Sequence, residues 1–342
     1  MEFIGSHILT IDQFQLADVK RIFAAAEAME PFAQRKRRTR VLEGALLGNL
    51  FFEASTRSRF SFASAFERLG GAVRDMTGFE HTSFQKGESI HDTSRVMSGY
   101  VDVMVVRHPE VGKVHDFASA TNIPVINSGD GTGEHPTQAL LDLYTVQKET
   151  KTAVDKIKGL RVAVVGDLRH GRTVHSLVKI MALLDSLDFS FVAPDALQMP
   201  AELIDLARKR GHKVATTESL DEGLEGADVV YCTRLQEERF ATAAEAAKYR
   251  GSYAINRSIF ERRCKAKAFL MHPLPRDSRS GAMEIAPDLD GHPALAVFRQ
   301  ADNGIAVRMA LFVLVLGVDD KVEPTAKEVG WFVPKKFGPK DV

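Results

Sequence analysis

Apolar residues along this chain recur at two spacings, one typical of amphipathic helices and one of buried strands. The helical spacing of four residues near the amino terminus predicts a first helix over residues 12–29: Leu16, Val19, Ile22 and Phe23. Short apolar runs predict buried strands at residues 45–52, 101–106, 123–126, 160–165, 189–192, 229–232 and 268–271, with one more around Val214. Helices are predicted between and after these strands at residues 55–69, from 136 onward, and at 173–184, 201–209 and 303–316.

Strands that alternate with helices predict parallel sheets covered by helices on both faces. The alternation occurs twice, on either side of a charged and polar segment at residues 147–158. We therefore predict an α/β protein with two doubly wound parallel-sheet domains, one formed by residues 1–146 with about 300–342 and the other by residues 147–299. The final apolar helix has no strand after it, and we expect it to pack back on the first domain.

The composition argues against several classes of function. The 342 residues include 45 Lys plus Arg and 45 Asp plus Glu, so the overall charge gives no reason to expect nucleic acid or a membrane surface as a partner. The longest apolar stretch, residues 309–318, is shorter than the roughly 20 residues of a membrane span, and the first residues lack the pattern of a secretory signal. Cys232 and Cys264 have no metal-ligand spacing. These features together predict a soluble cytoplasmic protein.

A basic run at residues 34–40 is the local exception to this charge balance. Its two interpretations are a nucleic-acid patch and a solvated loop before a strand. No aromatic residue interleaves the run, so we favour the loop.

Because ligands of parallel sheets bind beyond the carboxyl ends of the strands, the loops after the strands are the candidates for a site. The loop at residues 52–59 follows a buried strand and opens a helix, whose free N–H groups and partial positive charge suit a phosphate. Hydroxyl and guanidinium groups add further hydrogen-bond donors: Ser55, Thr56, Arg57, Ser58 and Arg59. An ordinary helix with a Ser cap and solvated arginines is the alternative interpretation.

Other loops carry single polar residues that suit an anion site. Arg107 ends an apolar strand, where an unpaired charge is costly, so it binds either a ligand or a structural carboxylate. His135 precedes Pro136 at a helix start, where it could polarise a carbonyl oxygen and Gln138 could bond an amide. Arg172, after the first strand of the second domain, suits a carboxylate better than a dinucleotide, because the glycine spacing there is not GxGxxG.

Three further loops complete the set. Arg234 lies just past a strand, and prolines on both sides of Leu274 fix the backbone and leave carbonyl groups free to accept hydrogen bonds. Residues 82–88 are polar and irregular, and taken alone they favour a mobile solvent loop.

Taken together, these loops resemble those of the aspartate/ornithine carbamoyltransferase family. The matching motifs are Ser55-Thr56-Arg57-Ser58-Arg59, Lys86-Gly87-Glu88, Arg107-His108-Pro109, His135-Pro136-Thr137-Gln138, Gly171-Arg172-Thr173-Val174-His175-Ser176, Thr233-Arg234-Leu235-Gln236 and His272-Pro273-Leu274-Pro275-Arg276. The likeness extends from about residue 8 to residue 317. The Lys-Gly-Glu loop and the His-Pro-Leu-Pro motif are similar to the aspartate branch of the family, rather than to the ornithine branch.

The resemblance implies transfer of the carbamoyl group of carbamoyl phosphate to L-aspartate, in de novo pyrimidine biosynthesis, without a metal or other cofactor. For the phosphate it implies a group of four consecutive residues: Ser55, Thr56, Arg57 and Ser58. For the carbamoyl oxygen it implies Thr56, Arg107 and His135. For the carbamoyl amide it implies Gln138 and the backbone of Pro273 and Leu274. For L-aspartate it implies Lys86, Arg172, Arg234 and Gln236. The residues implied in the chemical step are Thr56, Arg57, Arg107 and His135.

The resemblance also implies a homotrimer in which Ser83 and Lys86 enter the site of a neighbouring subunit, and it leaves a larger assembly with a regulatory chain open. Ser58 stands where the family commonly has Thr, and Thr82 competes with Ser83 for its role. Residues 319–342 extend past the family's usual end.

The alternative functions are a carbamoyltransferase for another amine, such as ornithine, and a non-catalytic phosphate-binding member of the family.

Overall fold

The computed structural model describes residues 1–79 and 83–335, except for the side chains of Ser83 and Gln85. The chain forms two compact units, the first built from Met1–Tyr144 with Asp302–Pro334 and the second from Thr145–Ala301. The strands are β1 (Arg37–Arg38), β2 (Leu46–Phe51), β3 (Ala72–Thr77), β4 (Val103–His108), β5 (Val125–Asp130), β6 (Arg161–Gly166), β7 (Asp188–Val192), β8 (Lys213–Thr217), β9 (Val229–Thr233), β10 (Phe269–Met271) and β11 (Lys327–Glu328). The α-helices are α1 (Leu16–Ala33), α2 (Thr56–Arg68), α3 (Ile90–Met97), α4 (Lys113–Ser119), α5 (Pro136–Thr150), α6 (Arg172–Met181), α7 (Ala201–Lys209), α8 (Leu220–Leu224), α9 (Ala243–Ala247), α10 (Arg257–Arg263) and α11 (Val297–Val315).

The first unit contains a parallel sheet in the order β3-β2-β4-β5. The central strands β2 and β4 are buried almost throughout, because helices cover both of their faces. On one face, Phe52 just past β2 packs with Val106 and Phe117 in an apolar cluster. The edge strand β3 is different, since four of its six residues are exposed. Its mixed composition explains why the apolar pattern predicted no strand there.

The long helix α11 belongs to the first unit from Asp302 onward. The ring of Phe312 is fully buried and meets the rings of Phe62 and Phe66 edge to face, at centroid distances of 6.0 and 5.0 Å. The prediction that the final helix packs back on the first domain is therefore confirmed.

The basic run near residue 37 is a short strand with a partner, so its prediction as a solvated loop was wrong in part. Strand β1 pairs antiparallel with β11, which places Arg37 opposite Glu328. Arg37 also forms an ion pair with Glu323 at 2.8 Å. The segment after α11 therefore packs on the first unit through residue 328, and residues 336–342 lie outside the described part of the chain.

The second unit contains a five-stranded parallel sheet in the order β10-β9-β6-β7-β8. Strands β6 and β9 lie so close at their carboxyl ends that a Cβ atom on Gly166 would approach the carbonyl oxygen of Thr233 to 2.1 Å. Glycine is therefore required at the point where both strands turn into their loops. The predicted class, α/β with two parallel sheets, is confirmed.

The polar segment that was predicted as a link begins inside a helix. Helix α5 continues to Thr150, and a 3-10 turn at Val154–Lys156 follows it. The side chain of Gln147 accepts a hydrogen bond from the backbone N–H of Val154 at 2.8 Å. This bond holds the turn against the end of α5, so the segment is ordered. Its charged and polar composition reflects solvent-exposed surfaces of the helix and the turn, not an unstructured linker.

Among the residues described, no single helix has the length and apolar character needed to cross a bilayer. In this described part of the chain, α11 and Asp319–Thr325 meet that test as a pair by length and composition, and they are bent by 111° at their junction.

We expect Phe312→Ala to lower the free energy of unfolding by about 3–5 kcal/mol, because it removes a fully buried ring that two other rings contact. Chemical denaturation of the purified chain measures this change. Phe332→Ala is the matched control, since that ring is 87 % exposed and its loss should change the free energy by less than about 0.5 kcal/mol. Equal effects of the two substitutions would contradict the packing of α11.

Candidate active site

The loop after β2 carries the hydroxyl groups predicted to bind phosphate. Ser55 is the N-cap of α2 in an extended conformation, yet its side chain makes no capping hydrogen bond. Thr56 and Arg57 are exposed, while Ser58 is buried. The hydroxyl of Ser55 and the first N–H groups of α2 therefore lie together at a helix start, where the helix dipole favours an anion.

Arg59, the second arginine of this loop, contacts the edge strand β3. Arg59 donates from Nε to the Oδ2 atom of Asp75 on β3 at 2.6 Å, and Asn49 donates to the other oxygen of Asp75 at 2.8 Å. Arg59 is therefore held at the edge of the sheet by a carboxylate that the sequence did not identify.

Arg107, at the end of β4, connects three strand ends. Its Nη2 atom lies 3.0 Å from Oε2 of Glu53, and its Nη1 atom donates to the carbonyl oxygen of Ser128 in β5 at 3.1 Å. The guanidinium is nearly buried, with 11 % of its side chain exposed, and such a charge requires a partner. The sequence analysis allowed Arg107 to pair with a structural carboxylate but did not identify that carboxylate as Glu53. The position of Glu53 directly after Phe52, at the end of a buried strand, could have indicated it.

The loop after β5 places a buried histidine at the start of α5. His135 is 3 % exposed, and the Oγ1 atom of Thr137 lies 3.4 Å from its Nδ1 atom. One turn further, Nε2 of Gln138 donates to Oδ1 of Asp142 at 2.8 Å. Gly131 shapes the loop with a φ of 53°, because a Cβ atom there would lie 2.7 Å from the backbone nitrogen of Val111.

The segment that carries Lys86 is a 3-10 turn at Ser83–Lys86. The ring of Phe84 packs edge-on against Phe52 at 5.3 Å, which fastens the turn to the aromatic cluster of the first unit, whereas Lys86 is exposed. Thr82 and the side chain of Ser83 lie outside the described part of the chain, so their predicted roles stay predictions.

In the second unit, Asp167 joins the loops that follow β6 and β9. Its buried carboxylate accepts hydrogen bonds from the backbone N–H of His170 at 3.0 Å and of Gln236 at 3.0 Å. Arg172 begins α6 immediately after the first of these loops. Asp167 therefore holds the two loops that carry Arg172 and Gln236, which were both predicted to bind a carboxylate. The sequence did not indicate this role for Asp167.

Arg234, in the loop after β9, is held by a bidentate contact with Glu238. The two guanidinium nitrogens lie 3.1 and 2.5 Å from the carboxylate oxygens, and Nη1 also donates to the carbonyl oxygen of Leu235 at 2.9 Å. Burial lowers the pKa of Arg234, but the carboxylates of Glu238, Glu284 and Asp277 together outweigh burial, and the pKa is raised overall. The side chain is 28 % exposed, so the cation remains within reach of a ligand.

The loop after β10 holds the predicted backbone contacts. The backbone N–H of Leu274 donates to Nδ1 of the buried His272 at 2.8 Å, and Nε2 of His272 lies 2.8 Å from Oε1 of Glu284. Because Nδ1 accepts, the ring proton belongs on Nε2, facing Glu284. Leu274 has a φ of 59°, so this ring contact stabilises a backbone conformation that is unfavourable for leucine. The carbonyl groups of Pro273 and Leu274 are held as rigid acceptors.

The structure thus gathers the predicted residues into two sets, one in each unit. Ser55, Thr56, Arg57, Ser58, Arg107, His135 and Gln138 follow the adjacent strands β2, β4 and β5 of the first unit. Arg172, Arg234, Gln236, Pro273 and Leu274 follow the adjacent strands β6, β9 and β10 of the second. Within residues 1–79 and 83–335, no group of three or more His, Cys, Asp or Glu side chains is arranged to hold a metal ion.

Two family models match this chain and together span most of it. One describes the carbamoyl-phosphate-binding domain of the aspartate/ornithine carbamoyltransferases and matches residues 6–148. The other describes the aspartate- or ornithine-binding domain of the same enzymes and matches residues 158–315. The chain belongs to the aspartate/ornithine carbamoyltransferase family.

Similar proteins within the family carry a more specific description. The chain is 52 % identical to the aspartate carbamoyltransferase catalytic subunit of Saccharophagus degradans over 98 % of its own length and 100 % of that protein's. It is 54 % identical to the same subunit of Cellvibrio japonicus, over 97 % and 98 % of the two chains.

Solved structures give the same result. The aspartate transcarbamoylase of Trypanosoma cruzi in complex with carbamoyl phosphate and aspartate has a TM-score of 0.84 at 37 % identity, covering 92 % of this chain and 98 % of the other. The catalytic subunit of the Methanocaldococcus jannaschii enzyme (M. jannaschii) has a TM-score of 0.81 at 41 % identity over the same shares.

We expect His272 to make the second unit less stable in acid. Burial lowers the pKa of His272, although Glu284 acts in the opposite direction, so the folded chain keeps the ring neutral where the unfolded chain protonates it. Stability is then lost as the pH falls below the unfolded value of about 6.5. The free energy of unfolding of His272→Gln should therefore fall less between about pH 7 and about pH 5 than that of the parent.

Denaturation series at several pH values measure this difference. His91→Gln is the control, because its side chain is 70 % exposed, and its pH profile should follow the parent. A parent and a His272→Gln variant with superimposable profiles would rule out this contribution.

Proposed function

We propose that this chain catalyses the transfer of the carbamoyl group of carbamoyl phosphate to the amine of L-aspartate, giving N-carbamoyl-L-aspartate and phosphate, in de novo pyrimidine biosynthesis. The observation that carries the proposal is the set of hydroxyl, guanidinium and imidazole groups at the adjacent ends of β2, β4 and β5. The aspartate carbamoyltransferase subunits at 52 and 54 % identity support the same reaction.

In this proposal the first unit is the carbamoyl-phosphate-binding domain. Its phosphate ligands are the residues that open α2: Ser55, Thr56, Arg57 and Ser58. Three groups act on the carbamoyl oxygen: Thr56, Arg107 and His135. The carbamoyl amide is bound by Gln138 and by the backbone carbonyls of Pro273 and Leu274.

The chemical step follows from these positions. The amine of aspartate attacks the carbamoyl carbon, and the carbonyl oxygen becomes the oxyanion of a tetrahedral intermediate. Donors aimed at such an oxyanion typically contribute about 2.7–4 kcal/mol each. Collapse of the intermediate breaks the bond to the phosphate oxygen, and the departing phosphate accepts the proton released by the amine. The remaining rate enhancement comes from holding the two substrates together.

The second unit is, in this proposal, the aspartate-binding domain. Arg172, Arg234 and Gln236 bind the two carboxylates, and Lys86 adds a further cation. Guanidinium groups suit this role because their forked donors match a carboxylate. Glu238 already satisfies the fork of Arg234 in the chain alone, so aspartate replaces one carboxylate partner by another.

We further propose a cytoplasmic homotrimer in which Ser83 and Lys86 reach the site of a neighbouring subunit. The exposure of Lys86 and the packing of its turn against Phe52 support this role, because the lysine is held at the surface on a fixed base. Assembly of trimers with a regulatory chain is a separate question, which light scattering with and without a candidate partner addresses.

A substrate panel tests the reaction. With labelled carbamoyl phosphate, we expect label to appear in carbamoyl aspartate when aspartate is supplied, and none to appear in citrulline when ornithine is supplied. Turnover of ornithine without turnover of aspartate would assign the other branch of the family. Absence of turnover with both would favour a non-catalytic member.

A mixing experiment tests the shared site. Arg57→Ala and Lys86→Ala should each lower turnover by about 10²- to 10³-fold, because each removes a cation from the transition state. Unfolding and refolding the two variants together in equal amounts should restore about one quarter of the parent activity, since a quarter of the sites in random trimers combine an intact Arg57 with an intact Lys86. Arg74→Ala, an exposed arginine on β3, is the control and should keep full activity. No recovery in the mixture would contradict a site shared between subunits.

A further inference from the structure

The amide of Gln138 is fixed in one orientation by a buried carboxylate. Nε2 of Gln138 donates to Oδ1 of Asp142 at 2.8 Å, and Asp142 is completely buried one turn further along α5. A carboxylate only accepts hydrogen bonds, so the reversed amide would place two oxygen atoms against each other. Nε2 is therefore directed at Asp142, which leaves Oε1 as the other polar atom of an amide whose residue is 9 % exposed.

A buried cation on α11 compensates the charge of Asp142. Arg308 is 4 % exposed, and its guanidinium lies 4.7 Å above the ring of Phe62 and donates from Nη1 to Oγ of Ser61 at 2.7 Å. Burial lowers the pKa of Arg308 to about 10, and the negative charge of Asp142 acts in the opposite direction. Arg308 is therefore a cation at neutral pH. Without this cation the buried carboxylate would be costly.

The helix that supplies Arg308 leaves room for it. A Cβ atom on Gly304, one turn earlier in α11, would lie 2.5 Å from Nη1 of Arg308 and 3.2 Å from the side chain of Leu141 on α5. Arg308 thus links α11 both to α2, through Ser61, and to the charge of Asp142 on α5. These two helices begin with the residues proposed to bind the phosphate and the carbamoyl group.

We propose that Asp142 is a positioning residue that presents Oε1 of Gln138, rather than Nε2, to the carbamoyl nitrogen, and that this orientation selects carbamoyl phosphate over acyl phosphates that lack an N–H donor. This inference rests on the proposed function, which places the carbamoyl amide at Gln138. A carbamoyl NH₂ group donates to Oε1. A methyl group in its place cannot donate, and it leaves the oxygen desolvated without a partner.

The test compares three ligands of the full-length chain by calorimetry: carbamoyl phosphate, acetyl phosphate and inorganic phosphate. In Asp142→Asn the new side chain carries both a donor and an acceptor, so the amide of Gln138 is no longer held in one orientation. We expect the preference for carbamoyl over acetyl phosphate to fall by roughly 10-fold, while the affinity for inorganic phosphate stays within about 2-fold of the parent. Asp116→Asn, the same change on the exposed face of α4, should leave all three affinities unchanged.

Two further variants separate positioning from damage to the fold. Asp142→Asn combined with Arg308→Met removes both buried charges, so this protein provides the same test if the single variant does not fold. Adding Asp142→Asn to Gln138→Ala should change the preference no further, because the orientation of Gln138 is then irrelevant. An additional loss of preference in that background would assign Asp142 a different role.

The outcomes distinguish this inference from the proposed function. A parent chain that binds inorganic phosphate but does not prefer carbamoyl phosphate would overturn the proposed function itself. A parent that prefers carbamoyl phosphate, with Asp142 variants that keep the full preference, would overturn only the role of Asp142.

Discussion

All strands of each larger sheet run in the same direction, and this constraint determines where the polar chemistry of the chain lies. Neighbouring parallel strands end at the same edge of the sheet. The loops that follow β2, β4 and β5 are therefore close in space although they are far apart in sequence. As a consequence, cations such as Arg107 lie largely buried at the edge of an apolar sheet, where an unpaired charge is unfavourable. Each needs a carboxylate or a carbonyl group nearby, and Glu53 and Ser128 supply them.

The sequence predicted elements well where burial is complete and poorly where it is partial. Strands β2, β6 and β9 are almost completely buried, and their predicted bounds differ from the observed ones by about one residue at each end. Strand β3 and helix α3 were not predicted, because β3 lies at a sheet edge and α3 has polar residues at most of its positions. Such elements are stabilised by neighbours distant in sequence, and apolar spacing alone does not contain that information.

The candidate site shows a similar division. The cations and hydroxyls were found from their positions after strands, but their carboxylate partners were not, since a partner can come from any loop that the fold brings near. Arg59 illustrates this limit, because its partner Asp75 lies on a strand for which the apolar pattern gave no prediction. Likewise, no sequence pattern connects Asp142 with Arg308, which lies more than 160 residues later.

The first unit is interrupted in sequence, because Met1–Tyr144 requires Asp302–Pro334 to cover its core. During synthesis its first part leaves the ribosome long before α11 exists. At about 5–20 residues per second, the roughly 160 intervening residues take about 8–30 s to translate. Throughout that interval Phe62 and Phe66 lack the ring of Phe312 that later covers them. The second unit, which is nearly continuous, is thus the first to be synthesised completely. The amino-terminal unit already has the strands of its parallel sheet but lacks α11, so it must avoid aggregation until translation ends.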